Sequence, residues 1–189
     1  MVVPSFNDKI WFGDIISTNL DVLLFWMPNI QRCTVKEITI RRGNLLWNDF
    51  KVLTKERTIE ILDLQKDVKV IDSDGKMISL EDIFAYVPNI SFFHSNCFTH
   101  VTPNTMKELC NRHNGTKKLT NFQIENLDGL LYVEDFLEFM KKYGTSNSTF
   151  IISFSDAHVP KKEATEFLIK IKLEIEKWPK SKRPIFNPR

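Results

Sequence analysis

The sequence predicts an α/β fold in which short strands alternate with helices and the strands form a curved parallel sheet. The first observation is an internal repeat at an offset of 60 residues. Residues 20–30 (LDVLLFWMPNI) and 80–90 (LEDIFAYVPNI) share their apolar positions and the same Pro-Asn-Ile ending. The second is a spacing of 28 to 32 residues between the apolar anchors of four proposed strands, which are Ile61, Phe92, Ile124 and Ile152. Units of this length stack because none can bury its own apolar face.

Composition, hydrophobic periodicity and proline content indicate that the 189 residues form one domain with two short terminal segments. Hydrophobic residues make up 42% and charged residues 26%, which is typical of a folded globular protein. Residues 1–13 show no clear periodicity and form an irregular lead, whereas residues 14–178 carry the repeats. Residues 179–189 hold three prolines and only basic charges, so we expect a loose tail, with nuclear import or an acidic partner as alternative roles.

Charge and cysteine content indicate which cellular compartment and which classes of partner to expect. The net charge of +2 gives no reason to expect nucleic acid binding. The three cysteines, Cys33, Cys97 and Cys110, form no disulfide framework, so we expect a reduced intracellular protein, in the cytoplasm or the nucleus. The sequence shows no signal peptide at its start and no apolar run long enough to cross a membrane, so we expect no membrane association.

The first half of the chain is interpreted as helix, strand, helix and strand. Asp14 is expected to cap a helix that ends before Pro28. Residues 33–40 are expected to be extended, and Leu46, Phe50 and Leu53 mark one face of a short helix. Residues 58–64 alternate through Ile59 and Ile61, which predicts a strand with these two side chains directed into the core.

Residues 68–78 interrupt the alternation of strands and helices. Asp74-Gly75 between two apolar pairs predicts a tight turn. The same residues imitate a calcium loop, with Asp72, Asp74 and Glu81 at the third, fifth and twelfth positions. The first position would then be Val70, which cannot bind an ion, so a turn is the preferred interpretation. Ser79 follows as the expected cap of the second repeat helix.

The second half continues with strand and helix units. We expect a strand over 90–94, a helix from Pro103 to Gly115, a strand over 119–127, a helix over 133–143 and a strand over 150–154. The last segment is ambiguous because Ile169–Glu176 alternates like a strand. However, Ala164, Phe167, Leu168, Ile171, Ile175 and Trp178 share one helical stripe. We therefore expect a helix there.

No catalytic motif stands out in the sequence. His94, Cys97 and His100 lie close together and could be joined by Cys110 or His113, but the spacing matches no strong zinc pattern. There is no glycine-rich phosphate loop. We therefore expect no metal, no cofactor and no enzymatic activity. A small metal- or thiol-dependent enzyme built from these residues remains the alternative.

The two repeated segments, together with Leu119–Leu127 and the helix that follows it, resemble the C-terminal, leucine-rich-repeat-like region of the F-box protein families that are expanded in nematodes. In that group an F-box binds a Skp-type adaptor of a ubiquitin ligase, and the repeat region recruits a target. No segment of this sequence has the F-box pattern. The resemblance therefore implies a leucine-rich-repeat-like solenoid with the target-binding half of the function. It leaves a truncated gene product as a further alternative.

A curved sheet of this kind would bind its partner through the side chains that alternate with the buried ones. The candidate protein-binding residues that alternate with the apolar anchors are Glu60, Gln123, Glu125 and Ser153. Arg57 and Asp63 lie at the ends of the Ile59–Ile61 strand and are expected to frame the same surface. They are polar with a slight excess of acidic side chains, so a basic or neutral protein is the expected partner. A shift of the strand register by one residue would exchange the two faces.

Overall fold

A parallel sheet of seven strands organises the computed structural model, which describes residues 9–65, 68–96, 99–113, 115 and 117–188. The sheet order is β1-β2-β4-β6-β7-β8-β9, and every neighbouring pair is parallel. Its strands are β1 Ile10–Thr18, β2 Ile30–Ile40, β4 Ile61–Leu64, β6 Phe92–Ser95, β7 Asn121–Leu127, β8 Thr149–Phe154 and β9 Ile185–Phe186. Two short strands, β3 Asn44–Leu46 and β5 Lys69–Ile71, form a separate parallel pair. The expected α/β class and parallel sheet are therefore confirmed.

Helices connect the strands of the main sheet. They are α1 Leu20–Trp26, α2 Trp47–Thr54, α3 Leu80–Tyr86, α4 Thr105–Arg112, α5 Val133–Tyr143 and α6 Lys161–Glu176. The long amphipathic segment at α5 has the expected bounds, and the ambiguous last segment is the helix α6. Ser79 caps α3 as expected, because its hydroxyl oxygen accepts a hydrogen bond from the backbone N–H of Asp82.

The hydrophobic core lies between one face of the sheet and the helices. In register across the sheet, Leu62 lies beside Phe93, Phe93 beside Phe122, and Phe122 beside Phe150, and all four side chains are fully buried. Ring contacts join this row to the helices, since Phe84 of α3 lies 4.8 Å from Phe93 between ring centroids. Aromatic pairs at this separation add to the free energy gained by burying their apolar area.

The opposite face of the central strands is only partly buried, and we call it the open face. Side chains alternate across a strand, so the neighbours of each buried residue point to the other side. The residues of β4, β6 and β7 that define the open face are Ile61, Asp63, Phe92, His94, Asn121, Gln123 and Glu125, all intermediate in exposure.

The segment after β5 is a tight turn, as the Asp74-Gly75 pair predicts. Gly75 has a φ of +79°, and the backbone N–H of Asp72 donates to the carbonyl of Lys76 over 2.8 Å. The Asp72 carboxylate accepts hydrogen bonds from the backbone N–H groups of Asp74 and Lys76. Its oxygen therefore closes the turn itself, in the manner of an Asx-turn.

Two expectations about the ends of the chain are wrong. The helix expected to start at Asp14 is instead the strand β1, and α1 begins only at Leu20. The segment 179–189, expected as a loose tail, contains a 3₁₀ turn at Lys180–Lys182 and the strand β9, which pairs with β8. Arg189 lies outside the described residues. The tail is thus part of the sheet in residues 185–186.

The inward direction expected for the anchors Ile61 and Phe92 is also wrong. Both are partly exposed on the open face, and the fully buried residues are their successors, Leu62 and Phe93. β4 and β6 carry apolar side chains on both faces at these positions, so alternation alone does not define the register. Ile124 and Ile152 are fully buried as expected.

Phe136 of α5 offers a direct test of this core. Its side chain is fully buried and contacts the rings of Phe150, Phe167 and Phe186. Phe136→Ala should lower the free energy of unfolding by about 3–5 kcal/mol, because it removes a large apolar side chain and leaves a cavity. Urea denaturation of the variant and of the wild-type chain measures this difference.

Glu138 of α5 is exposed and supplies the matched control on the same helix. Glu138→Ala should change stability by no more than about 0.5 kcal/mol. A loss below about 1 kcal/mol for Phe136→Ala would contradict a position in the core.

Candidate functional site

A row of polar side chains crosses the centre of the open face. Asp63 of β4 lies beside His94 of β6, and His94 lies beside Gln123 of β7 in the parallel register. The row is bounded by Thr39 of β2 and by Ile151 of β8. The same periodicity that places Leu62, Phe93 and Phe122 in the core therefore brings these three side chains together on the other face.

The Asp63 carboxylate is held by two donors. Its Oδ1 lies 2.7 Å from His94 Nδ1, and its Oδ2 accepts a hydrogen bond from Gln65 Nε2 over 3.2 Å. Burial raises the pKa of Asp63, but the hydrogen bonds from His94 and Gln65 and the positive charge of His94 outweigh it and lower the pKa below its usual value. Asp63 is therefore a carboxylate at neutral pH.

A second carboxylate approaches the other side of the imidazole. Glu125 Oε1 lies 4.0 Å from His94 Nε2 and accepts a hydrogen bond from Gln123 Nε2. His94 Nε2 is buried and has no hydrogen-bond partner in the described part of the chain. With Nδ1–H donating to Asp63, a neutral ring presents Nε2 as an acceptor and a protonated ring presents it as a donor. In either state one ring nitrogen has an unused hydrogen bond. We call Asp63, His94, Gln123 and Glu125 the polar cluster.

Apolar side chains lie on the same face, two residues before Asp63 in β4 and two residues before His94 in β6. Ile61 lies beside Phe92 in the register, and both are partly exposed. Ile15 of the edge strand β1 lies beside Glu37 of β2 and is 61% exposed. The open face thus combines the partly exposed apolar side chains of Ile61 and Phe92 with the hydrogen-bonding groups of the polar cluster.

Three of the six residues expected to bind a partner belong to the polar cluster: Asp63, Gln123 and Glu125. Ser153 of β8 lies close by, since its hydroxyl oxygen accepts a hydrogen bond from the backbone N–H of Asn126 over 3.3 Å. Gln123, Glu125 and Ser153 lie on the side of the sheet opposite the buried Phe122, Ile124 and Ile152, and Asp63 shares that side with Ile61.

Arg57 and Glu60 lie apart, before the amino end of β4. Arg57 has a φ of +55°, and its carbonyl oxygen accepts a hydrogen bond from the Asn89 side chain over 2.8 Å. Glu60 pairs with Lys117 at 2.9 Å, and the hydrogen bond from Lys117 lowers the pKa of the Glu60 carboxyl. Asp63 comes three residues after Glu60, which corresponds to about 10 Å along an extended chain. Glu60 and Arg57 therefore serve local contacts at that edge of the sheet.

The central member of the polar cluster, His94, is not among the residues that the sequence predicts to bind a partner. Its proximity to Cys97 and His100 in the sequence places it instead in the candidate metal or thiol group. The signal for its actual place is the 31-residue interval from Asp63 to His94, which equals the interval from Ile61 to Phe92. Side chains one repeat apart lie on the same face of neighbouring strands.

The described members of the proposed metal or thiol group lie in separate places. His100 Nδ1 bonds to Asp128 Oδ2 over 2.6 Å, whereas Cys110 is buried in α4 within the helix layer. Burial, together with the nearby Glu138 charge, raises the pKa of the Cys110 thiol to about 11, so this sulfur is protonated at neutral pH. Burial also lowers the pKa of His113. Cys97 lies outside the described residues, and within them no three His, Cys, Asp or Glu side chains are grouped so as to hold a metal ion.

Comparisons with known proteins find no family model, no curated protein and no solved structure that matches this chain. Within the described residues, no helix is both long enough and apolar enough to cross a membrane.

Asp63 makes the stability of the fold depend on pH in a defined direction. A carboxyl whose pKa is lowered by folding stabilises the native state above its unfolded pKa of about 3.9 and loses this contribution as the pH falls through the folded value. Asp63→Asn should therefore be less stable than the wild type at pH 7, and the difference should shrink at and below about pH 3.9. Urea denaturation at several pH values measures both quantities.

Asp156→Asn is the control, because Asp156 is exposed and lies outside the polar cluster. This variant should match the wild type within about 0.5 kcal/mol at each pH. A stability difference for Asp63→Asn that stays constant from pH 7 to pH 3 would contradict the assigned hydrogen bonds.

Proposed function

We propose that this protein is a non-enzymatic protein-binding module that recruits a target protein on the open face of its sheet. The supporting observation is the polar cluster, which places two carboxylates in the middle of a partly exposed sheet, beside a ring nitrogen that has no hydrogen-bond partner among the described residues. Proteins satisfy such groups by pairing them with a complementary surface or with water.

The order of the sheet supports a repeat architecture behind this surface. From β2 to β9, each strand of the main sheet pairs with the next in the chain, and α2 to α6 lie in the connections. We infer a leucine-rich-repeat-like solenoid, in which stacking of successive units produces one continuous face for a partner. The duplicated segments occupy corresponding places, because Leu20 and Leu80 both begin helices in the structure.

The charges of the open face indicate the chemistry of the partner. Asp63 is ionised, and Glu125 supplies a second carboxylate, whose Oε1 lies 4.0 Å from His94 Nε2. Apolar side chains of Ile61 and Phe92 adjoin them. A basic side chain, flanked by apolar residues on the partner, complements both the carboxylates and the apolar side chains.

The resemblance to nematode-expanded F-box proteins adds a biological role to this binding. It supports a substrate-receptor function in a ubiquitin ligase, in the cytoplasm or the nucleus, with a target that is a basic or neutral protein. Contact with a Skp-type adaptor would require an F-box pattern, which is not found in this sequence.

Selection from a random peptide library, displayed on phage and presented with the full chain, tests the proposal with a defined probe. Peptides that bind the wild type should contain arginine or lysine beside apolar residues. Their affinity for an Asp63→Asn, Glu125→Gln double variant should fall about tenfold or more, which corresponds to about 1.4 kcal/mol. These substitutions keep the side-chain shapes and remove the charges.

The matched control is Glu60→Gln, which removes one carboxylate at the amino edge of β4, outside the polar cluster. It should leave peptide affinity within about twofold, or about 0.4 kcal/mol. Selected peptides that lack basic residues, or that bind the double variant as tightly as the wild type, would contradict the proposal. So would peptides that lose affinity only when Lys180 and Lys182 are replaced by glutamine, since those lysines lie in the C-terminal segment.

A further inference from the structure

A cleft of about 720 Å³ lies at the C-terminal ends of α5 and α6. Its lining residues are Met140, Lys141, Gly144, Thr145, Ser146, Lys177, Trp178, Pro179, Ser181 and Lys182. This volume falls within the range that small-molecule sites occupy in proteins. The cleft belongs to the helices and the C-terminal segment and is separate from the polar cluster of the open face.

The charge inside this cleft is unbalanced. Among the residues that the structure describes, three lysines and no carboxylate line it. Lys177 pairs with Glu174 at 2.5 Å, but neither Lys141 nor Lys182 has an ion pair among the described residues. The Lys141 ammonium lies 5.1 Å from the centroid of the Trp178 ring. Two like charges held in one concave space repel each other unless an anion is present.

The ordinary explanation for lysines at helix ends is pairing with the last carbonyl groups. Here other cations already fill that role. At the end of α5, Lys118 Nζ donates to the carbonyl of Lys142 over 2.5 Å. At the end of α6, Arg183 Nη2 donates to the carbonyls of Glu176 and Trp178. The ammonium groups of Lys141 and Lys182 therefore remain available to a ligand.

The wall formed by the C-terminal segment is fixed by pairing with the sheet. The backbone N–H of Ile185 donates to the carbonyl of Ser148 over 2.8 Å, and the N–H of Asn187 donates to the carbonyl of Phe150 over 2.9 Å. A site whose walls are already ordered loses less conformational entropy when it binds.

We propose that this cleft binds a small organic phosphate, with a phosphomonoester dianion attached to a ring-bearing group. The ammonium groups of Lys141 and Lys182 and the hydroxyls of Ser146 and Ser181 provide donors for the phosphate oxygens. Ser181 is exposed and Ser146 is partly exposed, and neither hydroxyl makes a hydrogen bond to another described residue, so both can donate to a ligand. The indole of Trp178, which is partly buried, provides the apolar surface for the attached ring.

Calorimetric titration of the full chain with AMP at low salt tests this proposal, with adenosine and inorganic phosphate as partial ligands. AMP should bind more tightly than either one, because it carries both the dianion and the ring. AMP should also change the fluorescence of Trp178, and a Trp178→Phe variant should lose that component of the signal.

A Lys141→Gln, Lys182→Gln variant should bind AMP about tenfold more weakly or worse, which is about 1.4 kcal/mol. Lys170→Gln, Lys172→Gln is the matched control, because it removes two exposed charges of α6 that do not line the cleft. Both variants lower the net charge by two, so a general attraction to positive charge would weaken equally in each. The affinity of the control variant for AMP should stay within about twofold of the wild type.

Equal affinity for AMP and adenosine would overturn the proposal, because no phosphate would then be recognised. Equal losses in the two lysine variants would overturn it as well, since a diffuse attraction to net positive charge would explain the binding. The absence of any AMP binding at millimolar concentration would have the same consequence. None of these outcomes bears on peptide binding at the open face.

Discussion

The register of the buried row Leu62, Phe93, Phe122 and Phe150 is the constraint on which the rest of the structure depends. Each side chain is fully buried and lies beside the next across parallel strands. The three phenylalanine rings also contact aromatic rings of α3 or α5. A shift of β6, β7 or β8 by a single residue would move an aromatic ring from the core to the other face, and a shift of β4 would move Leu62. Where the neighbour that enters the core is Asp63, His94 or Gln123, the desolvation cost is several kcal/mol.

The open face follows from that constraint because the period of a strand is two residues. Once Phe93 and Phe122 are fixed in the core, His94 and Gln123 must point to the opposite side and lie next to each other. The polar cluster is therefore tied to the core by geometry. Its carboxylates are held by hydrogen bonds from Gln65, His94 and Gln123, which orders the surface before a partner arrives.

Sequence patterns predict those elements that carry their own signal. The helix α5 combines a wide apolar stripe with a glycine stop at Gly144, and its bounds match the structure. The strand β1 carries no such signal, because a register shift interrupts its alternation and Asp14 adopts a φ of +59° there. The strand β9 has two residues and is defined only by pairing with β8, which is distant in sequence from it.

The sequence predicts which residues lie on the open face only for strands in which apolar and polar residues alternate without ambiguity. In β7 the apolar and polar residues alternate cleanly, so Gln123 and Glu125 were expected on the correct face. In β6 two phenylalanines are adjacent, and either could have been the buried one. The choice is decided by the fit of Phe93 between Phe84 and Phe122, which is a tertiary contact.

Nuclear Overhauser effects between aromatic side chains test this register most directly. We expect contacts between the rings of Phe93 and Phe122, whose centroids lie 5.8 Å apart, and none between Phe92 and Phe122. Contacts from Phe92 to Phe122, together with a solvent-exposed Phe93 ring, would show that β6 is displaced by one residue. The open face would then carry Phe93 and Ser95, and the polar cluster around His94 would not exist.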